Sequence, residues 1–197
     1  DVTEAKPQVD VNSLTKLEVQ RDAVKMESEF DFNVRRVGIF ESKITLPAGL
    51  TISTVTGDGV GEWTIVPTPP SAQVLTVKLT QQKTGTFKIK LAARQSRGQP
   101  TEDLIIPTFT VADAARHEAK VGITIHSSLE ANTKDMGGFQ QEDVSALGAG
   151  SKGGSAATLA FRYRDAAKPA ALGFKSRDPQ VSVEVLTLVE AKEQSTR

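Results

Sequence analysis

Residues 24–34 read VKMESEFDFNV, and in this stretch apolar and charged side chains alternate. Successive side chains of a β-strand point to opposite faces of the sheet. One face of this stretch then carries Val24, Met26, Ser28, Phe30, Phe32 and Val34, and the other carries Lys25, Glu27, Glu29, Asp31 and Asn33. The alternation predicts a long strand that packs on a core with one face and meets water with the other.

The same alternation recurs along the rest of the chain. Further strands are predicted at residues 44–46, 50–56, 63–66, 74–80, 86–91, 104–111, 120–126, 158–164, 171–174 and 181–190. Residues 81–85 end in Gly85 and predict a hairpin loop between two of these strands. Pro107 predicts an edge position or a bulge. We expect the following inward side chains to be buried: Phe30, Phe32, Ile89, Ile123, Phe161 and Val183.

Helical periodicity is almost absent from the sequence. Residues 112–119 are interpreted as a turn or bulge, and residues 139–147 as one short helix. Turn signals every 8–12 residues between short alternating strands are typical of an antiparallel β-sandwich. The predicted class is therefore all-β, either an Ig-like sandwich or an elongated meander of two sheets, with at most one short helix.

The two ends of the chain resemble each other. Residues 9–18 and 181–190 both fit V-x-V-x-x-L-T-x-[LV]-E, which predicts either a tandem repeat or a chance likeness of two β-strands. The chain also begins with Asp1 rather than Met, as expected for part of a longer protein. The predicted organisation is a disordered tail at 1–8, a first β module at 9–112 and a second at 119–197. The second module is either separate or continuous with the first, and ends in the first strand of a next repeat.

The composition excludes several classes of function. Lys plus Arg and Asp plus Glu number 24 each, so no net positive field favours nucleic acid or an anionic membrane. The chain has no cysteine, which rules out disulfides, thiolate chemistry and cysteine-bound zinc. No stretch approaches the ~20 apolar residues of a membrane helix.

Two glycine-containing motifs are candidate binding sites, one for a dinucleotide and one for calcium. Residues 148–153 spell G-x-G-x-x-G, but they precede a predicted strand, whereas a dinucleotide site needs a helix there. We interpret them as a loop. Gly57, Asp58 and Gly59 lack the acidic density of a calcium loop and are interpreted as a turn.

Acidic, histidine and tryptophan side chains are the remaining candidates. Glu27, Glu29 and Asp31 lie ~7 Å apart along one strand face, a spacing that glycosidase acid pairs can use. The alternative, which we favour, is ion pairing with basic rows at Lys78, Lys88 and Lys90.

His117 and His126 show no convergent partners for zinc or a catalytic triad, so both are expected to be solvent-exposed. Trp63 is expected in the core rather than as an exposed platform for sugar rings.

No residue therefore qualifies as catalytic, cofactor-binding or metal-binding, and no cofactor is expected. The chain is predicted not to be an enzyme but a non-catalytic structural or interaction module of a larger, repetitive bacterial surface or envelope protein. The alternatives are a carbohydrate-binding module or a β-sandwich hydrolase. Expected partners are neighbouring repeats, other surface proteins or glycans, with no nucleic acid, and the expected location is extracytoplasmic.

Overall fold

A computed structural model describes residues 6–147, 157–164 and 168–177. These residues form twelve β-strands and one turn of 3-10 helix at Val144–Leu147. The strands are β1 Gln8–Val19, β2 Ala23–Pro47, β3 Thr51–Gly57, β4 Val60–Thr68, β5 Ala72–Ser96, β6 Leu104–Ile105, β7 Thr110–Val111, β8 Ala114–Ile125, β9 Leu129–Asp135, β10 Gln140–Glu142, β11 Leu159–Arg164 and β12 Ala171–Ser176. The predicted all-β class with at most one short helix is confirmed.

The strands build two sheets. In the nine-stranded main sheet the order is β10-β11-β8-β1-β2-β5-β3, with β4 paired to β5 and β7 paired to β2. Strands β6, β12 and β9 form a second, three-stranded sheet. The described pairs are antiparallel with one exception, because β8 runs parallel to β1. No helix in the described part of the chain is long and apolar enough to cross a membrane.

Strands β2 and β5 are each 25 residues long and bend together. Their register shifts between Val34 and Ile39 of β2, opposite Gly85 and Lys83 of β5. Arg36 and Gly85 adopt positive φ angles of 72° and 73° at this place. Extra residues in one strand of a pair bend that strand, so we infer that the sheet bends here while both strands continue through it.

The predicted hairpin with residues 81–85 as its loop is wrong. These residues lie inside β5, which continues from 72 to 96 without reversing direction. Polar residues and a glycine at positive φ are typical of a turn. Here they remain in the strand because they lie opposite the bend in β2. The sequence of residues 81–85 alone does not show that β2 bends opposite them.

Three other predicted segments differ in detail. Residues 104–111 are two short strands, β6 and β7, which lie in different sheets on either side of Pro107. In residues 112–119 the turn is confined to the start, with Asp113 at φ 60°, and β8 begins at Ala114. Residues 139–147 hold strand β10 as well as the 3-10 turn, so the predicted short helix is shorter than expected.

One hydrophobic core joins the inward faces of both sheets. The predicted buried residues Phe30, Phe32, Ile89, Ile123 and Phe161 are each at most 1% exposed, while Val183 lies outside the described residues. At the bend the rings of Phe32 and Phe87 stack with centroids 5.0 Å apart. The face assignment that alternation gave for residues 24–34 is thereby confirmed.

The core contains residues from both predicted modules. Val11 and Leu17 of β1 belong to the same cluster as Val121 and Ile123 of β8. The module boundaries and the repeat stay predictions, because residues 181–190 lie outside the described part of the chain. In residues 9–18, Val9 and Val11 face the core.

Candidate functional site

The outward face of the main sheet carries a continuous polar surface. Strands β8, β1, β2, β5 and β3 lie side by side, so alternate residues of all five share this face. Two adjoining hollows lie along it, with volumes of about 540 Å³ and 420 Å³. Leu14 lines both hollows, and together we call them the outer groove.

The first hollow lies where β8, β1 and β2 meet. Its polar lining residues include Asp10, Asn12, Asp31, Asn33, Arg116, Glu118 and Lys120. Strand register brings them together, since Asn12 lies opposite Asp31 of β2 and opposite Glu118 of β8. Residues about 105 positions apart in the chain thus line one hollow.

The second hollow lies over β1, β2, β5 and β3. Its lining residues include Leu14, Lys16, Glu27, Glu29, Thr54, Thr56, Lys90 and Ala92. Two of the three acidic residues singled out from the sequence therefore border this hollow, and the third, Asp31, borders the first.

Two members of the acidic row, Glu29 and Asp31, form ion pairs with lysines of β5. Lys88 Nζ lies 2.5 Å from Glu29 Oε1 and 3.1 Å from Asp31 Oδ1, and Lys90 Nζ lies 3.3 Å from Glu29 Oε2. The hydrogen bond from Lys88 lowers the pKa of Glu29, and the same contact raises the pKa of Lys88. A general acid needs a raised pKa, so Glu29 is not suited to the acid role of a glycosidase.

The predicted ion pairing of this row is confirmed for Lys88 and Lys90. It is wrong for Lys78, which lies opposite Glu41 in the second half of β2. Because β5 continues through the bend, Lys78 and Lys88 lie on different halves of the sheet.

The first hollow retains hydrogen-bonding capacity of its own. Arg116 Nη2 contacts Glu118 Oε2 at 2.8 Å, and Lys120 Nζ donates to the Ala146 carbonyl oxygen at 2.9 Å. The side-chain amides of Asn12 and Asn33 form no hydrogen bond with other described residues, and both are exposed. These two amides can therefore pair with a ligand without breaking a bond in the fold.

His117 is buried, and its predicted exposure is wrong. It lies in β8 rather than in a turn, is 3% exposed, and its Nε2 lies 2.9 Å from Ser13 Oγ. The rings of Phe30 and Tyr163 lie beside it. Because Ser13 is buried too, this pair joins β1 to β8 inside the core and is closed to a ligand.

His126 and Trp63 occupy the periphery of the fold. His126 follows β8, is exposed as predicted, and its Nδ1 lies 2.8 Å from Ser128 Oγ. Trp63 is half-buried on β4 and packs against the edge of the core, so it is not among the fully buried core residues, where the sequence placed it. Gly57, Asp58 and Gly59 form the predicted turn between β3 and β4, with Gly59 at φ 76°.

A metal ion or a nucleotide would need a site of its own. Among the described residues, no group of three or more His, Cys, Asp or Glu side chains is placed to hold a metal ion. The G-x-G-x-x-G stretch at 148–153 lies outside the described part of the chain.

The sequence reasoning missed the side chains that complete the first hollow. Each of these residues lies at an outward position of a strand whose side chains alternate between the two faces: Asn12, Arg116, Glu118 and Lys120. Their polarity was visible in the sequence, whereas the parallel pairing of β1 with β8 that unites them was not.

Comparisons with known proteins concern the fold. No family model and no curated protein matches the sequence. The M1 zinc metallopeptidase from Deinococcus radiodurans aligns with a TM-score of 0.47 and 14% identity over 84% of this chain and 42% of that protein. Leukotriene A4 hydrolase from Saccharomyces cerevisiae aligns with a TM-score of 0.49 and 11% identity over 85% of this chain and 29% of that protein. The chain thus spans less than half of either protein.

This finding corrects the predicted function. The two aligned proteins named above are a peptidase and a hydrolase, and neither is described as a surface repeat or a carbohydrate-binding module. The prediction that the chain is not an enzyme stays a prediction, and the chain spans 42% and 29% of the two aligned proteins. The described residues fit no zinc site, so no residue role is taken from these enzymes.

Proposed function

We propose that this chain is a peptide-binding β domain of a larger peptidase-related protein, and that the outer groove holds an extended stretch of polypeptide. The observation that carries the proposal is the pair of amides at Asn12 and Asn33, which have no partner among the described residues and lie between fixed charges of both signs. In this proposal catalysis belongs to another part of the parent protein.

The two amides match the chemistry of a peptide backbone. An asparagine side chain offers both a carbonyl acceptor and an NH₂ donor, as each peptide unit offers both an acceptor and a donor. Asn33 lies two residues beyond Asp31, the register partner of Asn12. Such diagonal neighbours are ~7–8 Å apart, close to the ~7 Å between alternate residues of an extended peptide.

The charges of the groove favour a polypeptide over a polyanion. Asp31 and Glu118 lie in the first hollow beside Arg116 and Lys120, so a nucleic acid or polyphosphate would meet carboxylates there. A peptide with both acidic and basic side chains can form ion pairs with both the basic and the acidic residues of the groove. Leu14, half-buried between the two hollows, offers an apolar contact to one of its side chains.

Peptides are also the ligand class implied by the names of the aligned peptidases.

The proposal can be tested by NMR titration of the ¹⁵N-labelled protein with a pool of capped seven-residue peptides of mixed charge. We expect saturable shifts of amide signals in β1, β2 and β8. Replacing both amides, Asn12→Ala with Asn33→Ala, should weaken the binding of a selected peptide by roughly 5- to 150-fold, since each hydrogen bond is worth ~0.5–1.5 kcal/mol.

Asn132→Ala is the matched control, because Asn132 is an exposed asparagine of β9 in the second sheet and should leave binding unchanged. Absence of shifts in the groove, or a double variant that binds peptide like the unaltered chain, would refute the proposal.

A further inference from the structure

Strand β4 forms a long edge of the main sheet beyond the bend. Residues Val60–Thr68 pair with β5 on one side, and no described strand pairs with them on the other. Sheet edges are usually protected from pairing with other chains by charged residues, prolines or short length. β4 carries a single charged residue, Glu62, and its proline, Pro67, lies near the end of the strand. The residues between them, from Trp63 to Val66, have no such protection.

Backbone hydrogen bonds of the neighbouring strands show which residues of β4 face this edge. The Ala48 N–H donates to the Ser71 carbonyl oxygen at 2.9 Å, so odd-numbered residues along this part of β5 point toward β2 and even-numbered ones toward β4. Even-numbered residues of β4 lie opposite the latter. The backbone groups of Trp63 and Ile65 therefore point away from β5. Pro67, which has no N–H, points the same way, as prolines of edge strands do.

The side chains near this edge are largely apolar. Trp63 and Ile65 lie opposite the buried Val77 and Leu75 of β5, so they face the inner side of the sheet, and both stay half-exposed at its edge. Val66 faces the outer side and is 57% exposed. Backbone groups and apolar side chains thus occur together along the edge, a combination that suits another β-strand.

The sequence of β4 is complementary to itself in antiparallel alignment. With Thr64 of two copies facing each other across a two-fold axis, Trp63 of one copy lies opposite Ile65 of the other. Their outward backbone groups can exchange both hydrogen bonds of such a pair, and their side chains continue the inner apolar face. Glu62 then lies opposite Val66, so no like charges meet. A two-fold contact of this kind closes on itself and adds no further copies.

We propose that two copies of this chain associate through β4, in antiparallel pairing about Thr64, and so join their main sheets into one. A contact of one strand from each copy is small beside the ~1,200–2,000 Å² of a stable interface, so the dimer is weak. β4 contributes no residue to the lining of the outer groove, and the contact is therefore independent of the function proposed for that groove.

Sedimentation equilibrium of the whole chain over a range of concentrations tests the association, and we expect a monomer–dimer equilibrium. Thr64 is exposed, so Thr64→Lys alters the edge without entering the core. It brings two ammonium groups together at the axis and should weaken the association by ~10-fold or more. Thr64→Glu should do the same. An equimolar mixture of the two variants should associate again, because opposite charges then face each other.

Two further measurements complete the test. Thr133→Lys is the matched control, since Thr133 is an exposed threonine of β9 in the second sheet and should leave the association unchanged. In the unaltered chain, the amides of Trp63 and Ile65 should exchange hydrogen more slowly as the concentration rises, a result that depends on no variant.

The proposal is overturned if the unaltered chain stays monomeric at ~1 mM or forms open-ended oligomers. It is also overturned if Thr64→Lys associates as tightly as the unaltered chain, or if the mixed variants associate no better than each does alone.

Discussion

Tyr163 shows how burial sets the chemistry of a single side chain. It lies on β11, is 2% exposed, and its hydroxyl oxygen accepts a hydrogen bond from the Phe109 backbone N–H at 3.0 Å. Loss of hydration in the core raises the pKa of Tyr163 to about 12. The residue thereby ties β11 to the segment between the two sheets.

Tyr163→Phe should destabilise the fold while keeping its packing. The variant retains the ring but leaves the Phe109 N–H buried without this acceptor, which costs ~1–3 kcal/mol. Urea denaturation at pH 7 measures the difference in the free energy of unfolding. A variant as stable as the unaltered chain would show that the N–H finds another partner.

Alkaline pH should destabilise the unaltered chain through the same residue. The pKa of Tyr163 is raised in the fold from its usual 10.0 to about 12, so the folded state holds this proton more tightly. The associated stability is fully present below pH 10 and is lost as the pH rises towards 12. Two pKa units correspond to ~3 kcal/mol.

The difference in the free energy of unfolding between the unaltered chain and Tyr163→Phe should therefore become smaller from pH 8 to pH 10 and pH 11. Parallel pH curves would contradict the assignment, because lysine deprotonation affects both proteins alike.

Alternation predicted which apolar residues are buried but not which polar ones. Phe30 and Phe32 follow a local pattern that any strand must obey. Ser42 and His117 occupy inward positions too, yet a polar residue in a single sequence is more often exposed. The partner of His117 is Ser13, 104 residues away in the chain, and the sequence pattern does not reveal such pairs.

At the level of elements, the bend of β2 and β5 depends on two irregular segments that lie opposite each other. Gly38 of β2 packs closely on β5, where a Cβ atom would lie 2.7 Å from Gln82 Cγ and 2.8 Å from the Lys83 carbonyl oxygen. Each segment alone is typical of a turn. Paired with each other, they become a corner in a continuous sheet.

Gly38→Ala should destabilise the bend. The added methyl group meets backbone, which cannot rotate away as a side chain can, and overpacking of this kind costs ~1–3 kcal/mol. Gly61→Ala is the control, since a Cβ there would lie 3.3 Å from Thr80 Cγ2, a distance at which small shifts suffice. Thermal denaturation should show a clear loss for the first variant and little for the second, and equal midpoints would contradict the close packing at the bend.

The acidic row predicts a salt- and acid-sensitive coupling between β2 and β5. The pKa of Glu29 is lowered, so its contribution to stability is present above its ordinary pKa of 4.5 and is lost as the pH falls below that value. A double-mutant cycle of Glu29→Gln and Lys88→Met should show favourable coupling at pH 7 that disappears at pH 3. Both side chains are partly exposed, so 1 M NaCl should also abolish it. A coupling unchanged by salt would show that hydrogen-bond geometry rather than charge dominates.

At the level of the whole molecule, the described strands share one core across the predicted boundary at 112–119. β8 of the second predicted module lies beside β1 of the first, and residues of both belong to one hydrophobic cluster. The composition and turn spacing predicted the all-β class, because they reflect local requirements. The order of the strands depends on contacts between distant segments, which alternation cannot specify.

The shared core predicts a single unfolding transition. Far-UV circular dichroism reports all strands, and fluorescence of Trp63 on β4 reports the half of the main sheet beyond the bend. Their urea midpoints should coincide, as in cooperative two-state unfolding. Two separated midpoints would instead support independent modules.

The parallel pairing of β1 with β8 also has a consequence for synthesis on the ribosome. β1 meets β2 after a short turn, but β8 begins at Ala114, 95 residues after β1 ends at Val19. At ~5–20 residues per second, the nascent chain carries one open edge of β1 for ~5–20 seconds. The polar side chains that alternate along β1, with Asp10, Lys16 and Glu18 among them, reduce its tendency to pair with other chains during that interval.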